Sequence, residues 1–244
     1  MKLKKLGIAV VTLAAAVISV AAVSAWSARP DHVHSDADYL FAHLQARSHS
    51  QDADWLESSL SEMLPSHQFS VNGGPARPRG SGVVVGRVTD VRAGKGFAHP
   101  DDAPKSTVVD FNAKEALWRT VEVTVAVDEA WGRVAGQQAV TFAVIIDRGA
   151  DAAKAVNGLR TLGRVFVSLD RQGRFAYAPG LYSISHSGDL FGTVDAQGNI
   201  ELKATEHGDE FMKGLNTVAQ LRAEAAKAPT VVKVDIVDGV GVRR

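Results

Sequence analysis

The sequence predicts a mainly β fold with peripheral helices, and three observations lead to that prediction. Every second residue of 121–127 is valine, which is the alternation of a strand with one buried face. Similar strand patterns recur in residues 140–146 and 165–169. With 45% hydrophobic and 22% charged residues, the chain has the composition of an ordinary globular protein. One main domain with appendages is therefore expected.

Residues 1–25 are predicted to be an export signal. Lysines precede an apolar stretch over residues 6–23, and the small residues Ser24 and Ala25 follow it. The alternative is an uncleaved anchor, because the apolar stretch is long for a signal and nearly long enough to cross a bilayer. In both cases the chain is expected outside the cytoplasm, as a secreted, periplasmic or cell-surface protein. Membrane contact is expected only if residues 6–23 stay attached.

Residues 26–65 are predicted to form a short helical segment. Two capping patterns, at residues 35–38 and 54–57, each precede apolar residues at helical spacing, and Pro65 ends the second helix. Residues 66–81 combine glycine, proline and serine without apolar periodicity. That composition is typical of a linker and places a domain boundary near its end.

Residues 82–204 are predicted to form the β domain. Its strands are expected at residues 83–91, 121–127, 140–146, 165–169 and 182–184. A long loop over residues 93–116 separates the first two strands, and a helical pattern over 149–162 separates the third from the fourth. Asp-x-x-Gly sequences at residues 170–173 and 195–198 predict two hairpin turns.

Residues 205–244 are predicted to carry a helix and a strand. The helix is expected over residues 209–227, where Phe211, Leu215 and Val218 share one face. The strand is expected over residues 231–237.

Composition excludes several classes of function. The chain has no cysteine, which rules out disulfide bonds, thiolate metal sites and cysteine nucleophiles. Its 27 basic and 27 acidic residues balance, so no basic field indicates a nucleic-acid partner. No phosphate-binding loop or dinucleotide fingerprint occurs in the sequence, and no cofactor is expected.

Two histidine-containing stretches have the composition of a site but not its spacing. The stretch "SHSGD" at residues 185–189 resembles a triad in composition only, because alternation along a strand points His186 away from both neighbouring serines. No catalytic residue is therefore predicted. Histidines crowd the region before the β domain at irregular spacing, without a paired carboxylate motif, so no metal site is predicted either. The histidines of this region are His32, His34, His43, His49 and His67.

The predicted contact residues are Phe97, His99 and Trp118. The first two lie in the long loop, and the third flanks the second predicted strand of the domain, as Trp131 does at its other end. Long loops often carry binding residues, and aromatic residues with a polar edge are favoured anchors for partners. Alternation places Trp131 on the face of residues 121–127, where burial is expected, and Trp118 on the opposite face. "HPDD" at residues 99–102 could supply metal ligands, but a solvated turn is the favoured reading.

The order of predicted elements resembles a five-stranded Greek-key barrel of the OB type, with a helix between its third and fourth strands. The fragments "VVVGRVTDVRAG", "TVEVTVAVDEAWGR" and "LGRVFVSLDRQGRFAYAPGLYSI" are similar to the strand segments of OB-like modules in exported bacterial proteins. The resemblance covers about half of the chain. It implies a barrel over the β domain and no particular activity, because OB barrels bind many kinds of ligand.

The sequence therefore favours an exported, non-enzymatic binding module that recognises a protein or a glycan of the cell envelope or its surroundings. One alternative is an exported hydrolase whose site is assembled from distant residues. Another is a membrane-tethered structural or interaction protein.

Overall fold

The computed structural model of the chain describes residues 35–48, 60–99, 107–172, 175, 177–184, 190–205, 208–237 and 240–243. Within these residues the fold is mainly β, as the sequence predicts. The strands are β1 His67–Val71, β2 Gly82–Phe97, β3 Val108–Val109, β4 Trp118–Gly132, β5 Ala139–Asp147, β6 Arg164–Gln172, β7 Tyr182–Ile184, β8 Phe191–Val194, β9 Ile200–Glu201, β10 Thr230–Val237 and β11 Val240–Arg243. The helices are α1 Asp36–Ser48, α2 Ala152–Thr161, α3 Gly208–Met212 and α4 Val218–Ala225, and a 3-10 helix covers Leu60–Met63.

In the described part of the chain, an eight-stranded sheet has the order β3-β2-β4-β5-β7-β6-β8-β9, and β2 also pairs with β6. Five strands therefore form a closed ring in which each strand is hydrogen-bonded to the next: β2, β4, β5, β7, β6 and again β2. Strands β5 and β7 are parallel, whereas the other neighbours in this ring are antiparallel. Helix α2 lies between β5 and β6 in the chain, where the sequence predicts it, and Asp151 caps it by accepting from two backbone N–H groups.

One face of the ring strands packs into a single apolar cluster. The alternating valines of β4 up to Val125 belong to it, together with Phe142 of β5 and Val165 of β6. Helix α1 adds Leu40, Phe41 and Leu44 to the same cluster, and α2 adds Leu159. The predicted capping box begins α1: the Ser35 hydroxyl accepts from the Asp38 backbone N–H at 3.1 Å, and the Asp38 carboxylate accepts from the Ser35 N–H at 3.0 Å.

A bulge in β4 makes the predicted placement of Trp131 wrong. Val85 pairs with Glu129 but Gly86 pairs with Val127, so Asp128 is an extra residue on β4. An extra residue reverses the alternation beyond it. Trp131 consequently packs, half-buried, against a second apolar cluster that contains Val83 and Val85, on the other side from Val121, Val123 and Val125.

The predicted linker over residues 66–81 contains strand β1, which is a correction. Strand β1 pairs in parallel with β10, and β10 pairs antiparallel with β11, so these strands form a three-stranded sheet of their own. The parallel partner lies at the other end of the chain, and local composition carries no trace of it. After β1 the chain reverses direction, and Arg77 forms an isolated antiparallel bridge with Phe69 of β1.

Three other boundaries differ from the prediction. Strand β2 continues to Phe97 and β3 pairs with its end, so only part of residues 93–116 is a loop. The predicted helix over 209–227 is two helices, because Lys213 and Gly214 have φ of 45° and 82° and interrupt it. Strand β6 runs to Gln172, so the first predicted turn does not begin at Asp170.

The second predicted hairpin turn is confirmed. Gly198 has φ of 86°, and the Asp195 carboxylate accepts from the Asn199 backbone N–H at 2.8 Å, joining β8 to β9. The predicted export signal over 1–25, the capping pattern at 54–57 and the "SHSGD" stretch lie outside the described residues. Of the helices within the described residues, none combines the length and apolar character needed to cross a membrane.

Candidate functional site

The structure brings the three predicted contact residues together at the start of β4. The rings of Phe97 and Trp118 are stacked, with centroids 3.8 Å apart and planes at 4°. The indole N–H of Trp118 donates to the backbone carbonyl of His99 at 2.6 Å. The pairing of β2 with β4 sets this contact, because Phe97 and Trp118 are opposite each other in the register.

A segment of the chain between β6 and β7 covers these rings. Phe175 lies 6.1 Å from Phe97 and 6.2 Å from Trp118 between ring centroids, and Tyr177 lies 5.9 Å from Phe97. Leu181 closes the same group, in which Phe97 and Trp118 are 2% and 5% exposed. We call Phe97, Trp118, Phe175, Tyr177 and Leu181 the aromatic cluster.

A polar edge borders the aromatic cluster. The Tyr177 hydroxyl lies 2.7 Å from the Thr120 hydroxyl, and the Arg92 Nε donates to the nearly buried Glu122 carboxylate at 2.7 Å. Burial, assisted by the negative charge of Glu122, raises the pKa of Tyr177 to about 12. Glycine is required at position 94, because a Cβ there would lie 2.9 Å from the Tyr177 hydroxyl and 2.5 Å from Thr120 Oγ1.

The three predicted contact residues differ in their exposure to solvent. Phe97 and Trp118 present their rings to one another and to the covering segment, not to solvent. His99 is exposed, with its Nε2 3.2 Å from the Thr107 hydroxyl. A contact role for the three residues stays a prediction. In the arrangement seen here, the aromatic pair contributes to the fold and only His99 faces outward.

The described histidines before the β domain make contacts within the fold. His43 of α1 accepts weakly from the Asp147 backbone N–H at 3.4 Å, beside a contact between Arg47 and the Asp147 carboxylate. Burial lowers the pKa of His43, which suits a neutral ring that accepts this bond. His67 Nδ1 lies 4.0 Å from a Glu224 carboxylate oxygen. His32, His34 and His49, and the carboxylates of "HPDD", lie outside the described residues.

Within the described residues, no group of three or more histidine, aspartate or glutamate side chains is placed to hold a metal ion. The contacts of His43 and His67 lie on different elements, α1 with β5 and β1 with α4.

An open groove of about 820 Å³ lies where the two sheets approach each other, beyond the other end of β4. Strands β1 and β10 line one wall with Phe69, Val71 and Val234. The remaining lining residues are Arg77, Pro78, Arg79, Gly80, Ser81, Arg133, Gln137, Asp170 and Tyr182. We call this feature the arginine groove, after Arg77, Arg79 and Arg133.

Backbone hydrogen bonds fix the frame of the arginine groove. The Arg133 N–H donates to the Ser81 carbonyl at 2.8 Å, and the Ser81 N–H donates to the Leu169 carbonyl at 2.8 Å. The Gln137 side chain donates to the Tyr182 hydroxyl at 3.2 Å. The first two bonds join the residue after β4 and strand β6 to Ser81, directly before β2, and the third joins the β4–β5 connection to β7. This side of the groove therefore belongs to the large sheet.

The three arginines of the groove differ in their contacts. Arg79 lies over the Phe69 ring, 5.6 Å from its centroid, and donates to the Glu62 carboxylate at 3.1 Å. Arg77 and Arg133 are exposed, and neither side chain forms an ion pair with the described part of the chain. Asp170 is the carboxylate of the lining. The groove therefore has an excess of positive charge.

Sequence reasoning missed the arginine groove. Its residues come from β1 and the connection that follows it, both inside the predicted linker, from the connection between β4 and β5, and from β6, β7 and β10. The available local signal was the sequence "PARPRG", in which arginines alternate with proline and small residues. That pattern indicates a turn or linker and does not indicate a concave surface.

Comparisons with protein-family models, with curated proteins and with solved structures found no match for this chain.

Proposed function

We propose that this chain is an exported, non-enzymatic binding module of the cell envelope and that the arginine groove is its partner-binding surface. The ring of β2, β4, β5, β7 and β6 is then an OB-like barrel that serves as the scaffold. The strand order and the position of α2 between β5 and β6 support that interpretation, because both agree with the Greek-key order of OB barrels.

The observation that carries the proposal is the groove itself. It is concave, it is of the size usual for ligand sites, and it presents exposed guanidinium groups on a frame of backbone hydrogen bonds. The rings of Phe97 and Trp118, by contrast, are covered by Phe175, Tyr177 and Leu181 of the same chain. A partner could reach the groove without any rearrangement of the fold.

Site-specific photo-crosslinking in the source organism tests this proposal. A photo-reactive residue replaces Gln137, which is exposed in the groove, and in a matched strain it replaces Arg148, which is exposed at the other end of the β4–β5 pair. We expect a reproducible crosslinked partner from position 137 and none from position 148. The same products from both positions, or none from position 137, would exclude the groove as the partner surface.

Two further measurements separate the alternatives. Turnover in a panel of hydrolase substrates that is lost on a groove substitution would favour an enzyme. Detection of an intact N-terminus by mass spectrometry would favour the membrane-tethered protein, whereas a mature chain that begins near Trp26 would favour the exported module.

A further inference from the structure

We propose that the ligand of the arginine groove is an acidic segment of a partner polypeptide, whose carboxylates pair with Arg77 and Arg133. This inference depends on the proposed function, because it names the ligand class of the same groove.

The first argument is that two arginines of the groove have no carboxylate partner among the described residues. Elsewhere in the described chain, four arginines join elements by pairing with carboxylates, and two more, Arg119 and Arg160, donate to backbone carbonyls. The four pairs are Arg47 with Asp147, Arg92 with Glu122, Arg164 with Asp128 and Arg222 with Glu129. Arg77 and Arg133 face the groove without such a partner among the described residues. A guanidinium group presents a planar set of donors that matches a carboxylate in a bidentate pair.

The second argument is the fixed third arginine. Arg79 is held between Glu62, which is 7% exposed, and the ring of Phe69. Its charge is partly balanced by Glu62, so it orders the wall and adds less attraction than its neighbours do. The excess positive charge thus comes from Arg77 and Arg133, opposed by Asp170.

The third argument favours a peptide over a glycan. Sugars bind proteins largely through open aromatic faces, and the rings at this groove are already engaged. Phe69 lies under Arg79, and Tyr182 is 6% exposed and accepts from Gln137. The wall instead offers aliphatic surface, with Val71 43% exposed. Guanidinium groups beside aliphatic side chains suit an extended peptide in which acidic and apolar side chains alternate.

Fluorescence anisotropy with defined probes tests the inference. The probes are a labelled peptide in which glutamate alternates with valine and serine, its lysine counterpart, and a labelled oligogalacturonate of the same charge as the acidic peptide. We expect the full chain to bind the acidic peptide and not the lysine peptide. Added salt should weaken this binding, since exposed charges are screened.

Matched substitutions localise the binding. Arg77→Gln and Arg133→Gln should each lower the affinity for the acidic peptide about tenfold, the effect of one charge-assisted pair. Arg87→Gln and Arg148→Gln remove the same charge from exposed arginines outside the groove and should leave the affinity unchanged. Thermal melts of all four variants verify that each is folded.

Equal losses in the groove and control variants would overturn the inference, as would absence of peptide binding. Tighter binding of the oligogalacturonate, lost in the groove variants, would replace the peptide by an acidic glycan. Self-association that the groove variants abolish would make a second copy the occupant and would also count against it. A crosslinked partner at position 137 without peptide binding leaves the proposed function intact, whereas peptide binding without that partner defeats the proposed function alone.

Discussion

Strand β4 connects two regions that differ in the exposure of their side chains: aromatic rings are buried at its start, and an arginine is exposed just past its end. At its start, Trp118 stacks on Phe97 and is covered by Phe175 and Leu181, so large aromatic surfaces are removed from water. Just past its end, Arg133 stands exposed at the arginine groove. Aromatic residues thus stabilise the fold here, while the charged residues remain available. An aromatic residue beside a loop is therefore weak evidence of a binding site until its burial is known.

The largest expected effect is that of Trp118→Ala. Removal of a large ring that is 5% exposed leaves a cavity, and we expect the free energy of unfolding to fall by about 3–5 kcal/mol. Urea denaturation monitored by circular dichroism measures the loss. Trp131→Ala is the matched control and should cost less, because Trp131 is half-buried. A loss below about 1 kcal/mol at Trp118 would contradict its structural role.

The second prediction concerns the covering segment. Phe175 is 2% exposed and touches the Trp118 ring, so Phe175→Ala should cost about 3 kcal/mol. Because the two rings are in contact, the double variant should show a coupling energy of about 1 kcal/mol. A double-mutant cycle between Trp118→Ala and Arg133→Gln should instead be additive. Coupling in that second cycle would break the separation between the two regions.

Tyr177→Phe should have a smaller effect, with a dependence on pH. Loss of the contact with the Thr120 hydroxyl should cost about 1 kcal/mol at neutral pH. The pKa of Tyr177 is raised to about 12 in the folded chain, against about 10 when unfolded, so the unfolded chain loses this proton first as pH rises. The wild-type chain should therefore lose stability between about pH 10 and pH 12, beyond any loss in the phenylalanine variant. Parallel curves of stability against pH for both chains would refute the buried hydroxyl.

The smallest expected effect on stability is that of Arg133→Gln. An exposed side chain without an ion pair among the described residues should change the free energy of unfolding by less than about 0.5 kcal/mol. The same substitution should weaken binding of the acidic peptide about tenfold. Loss of binding without loss of stability would sharpen the contrast with Trp118. A large loss of stability would show that Arg133 belongs to the fold.

Local rules predicted those elements whose information is local. The predicted capping box at Ser35 begins α1, and the predicted turn before Gly198 joins β8 to β9. In each case the donors and acceptors lie within four residues of one another. Strand β5 and the part of β4 before the Asp128 bulge follow from alternation, because Val121, Val123 and Val125 of β4 and every second residue of 140–146 in β5 are buried.

The mistakes arise where partners are distant in the chain. Strand β1 forms because β10 supplies its hydrogen bonds, although its sequence is that of a linker. The face of Trp131 depends on the extra residue Asp128, and that bulge is visible only in the register between β2 and β4. The burial of Phe97 depends on Phe175, which arrives from the connection between β6 and β7.

The sequence by itself determined the mainly β class, the order of the main strands, the absence of cysteine chemistry, the capping box of α1 and the turn between β8 and β9. Periodicity and capping depend on residues that are close neighbours in the chain, so the sequence alone contains the information that they need. Only the tertiary structure decided which aromatic rings are covered, which arginines are left without carboxylates among the described residues, and where a concave surface lies. Burial and charge pairing depend on which distant segments meet, and the arginine groove exists because β1 and β10, from near the two ends of the described chain, pair beside the larger sheet.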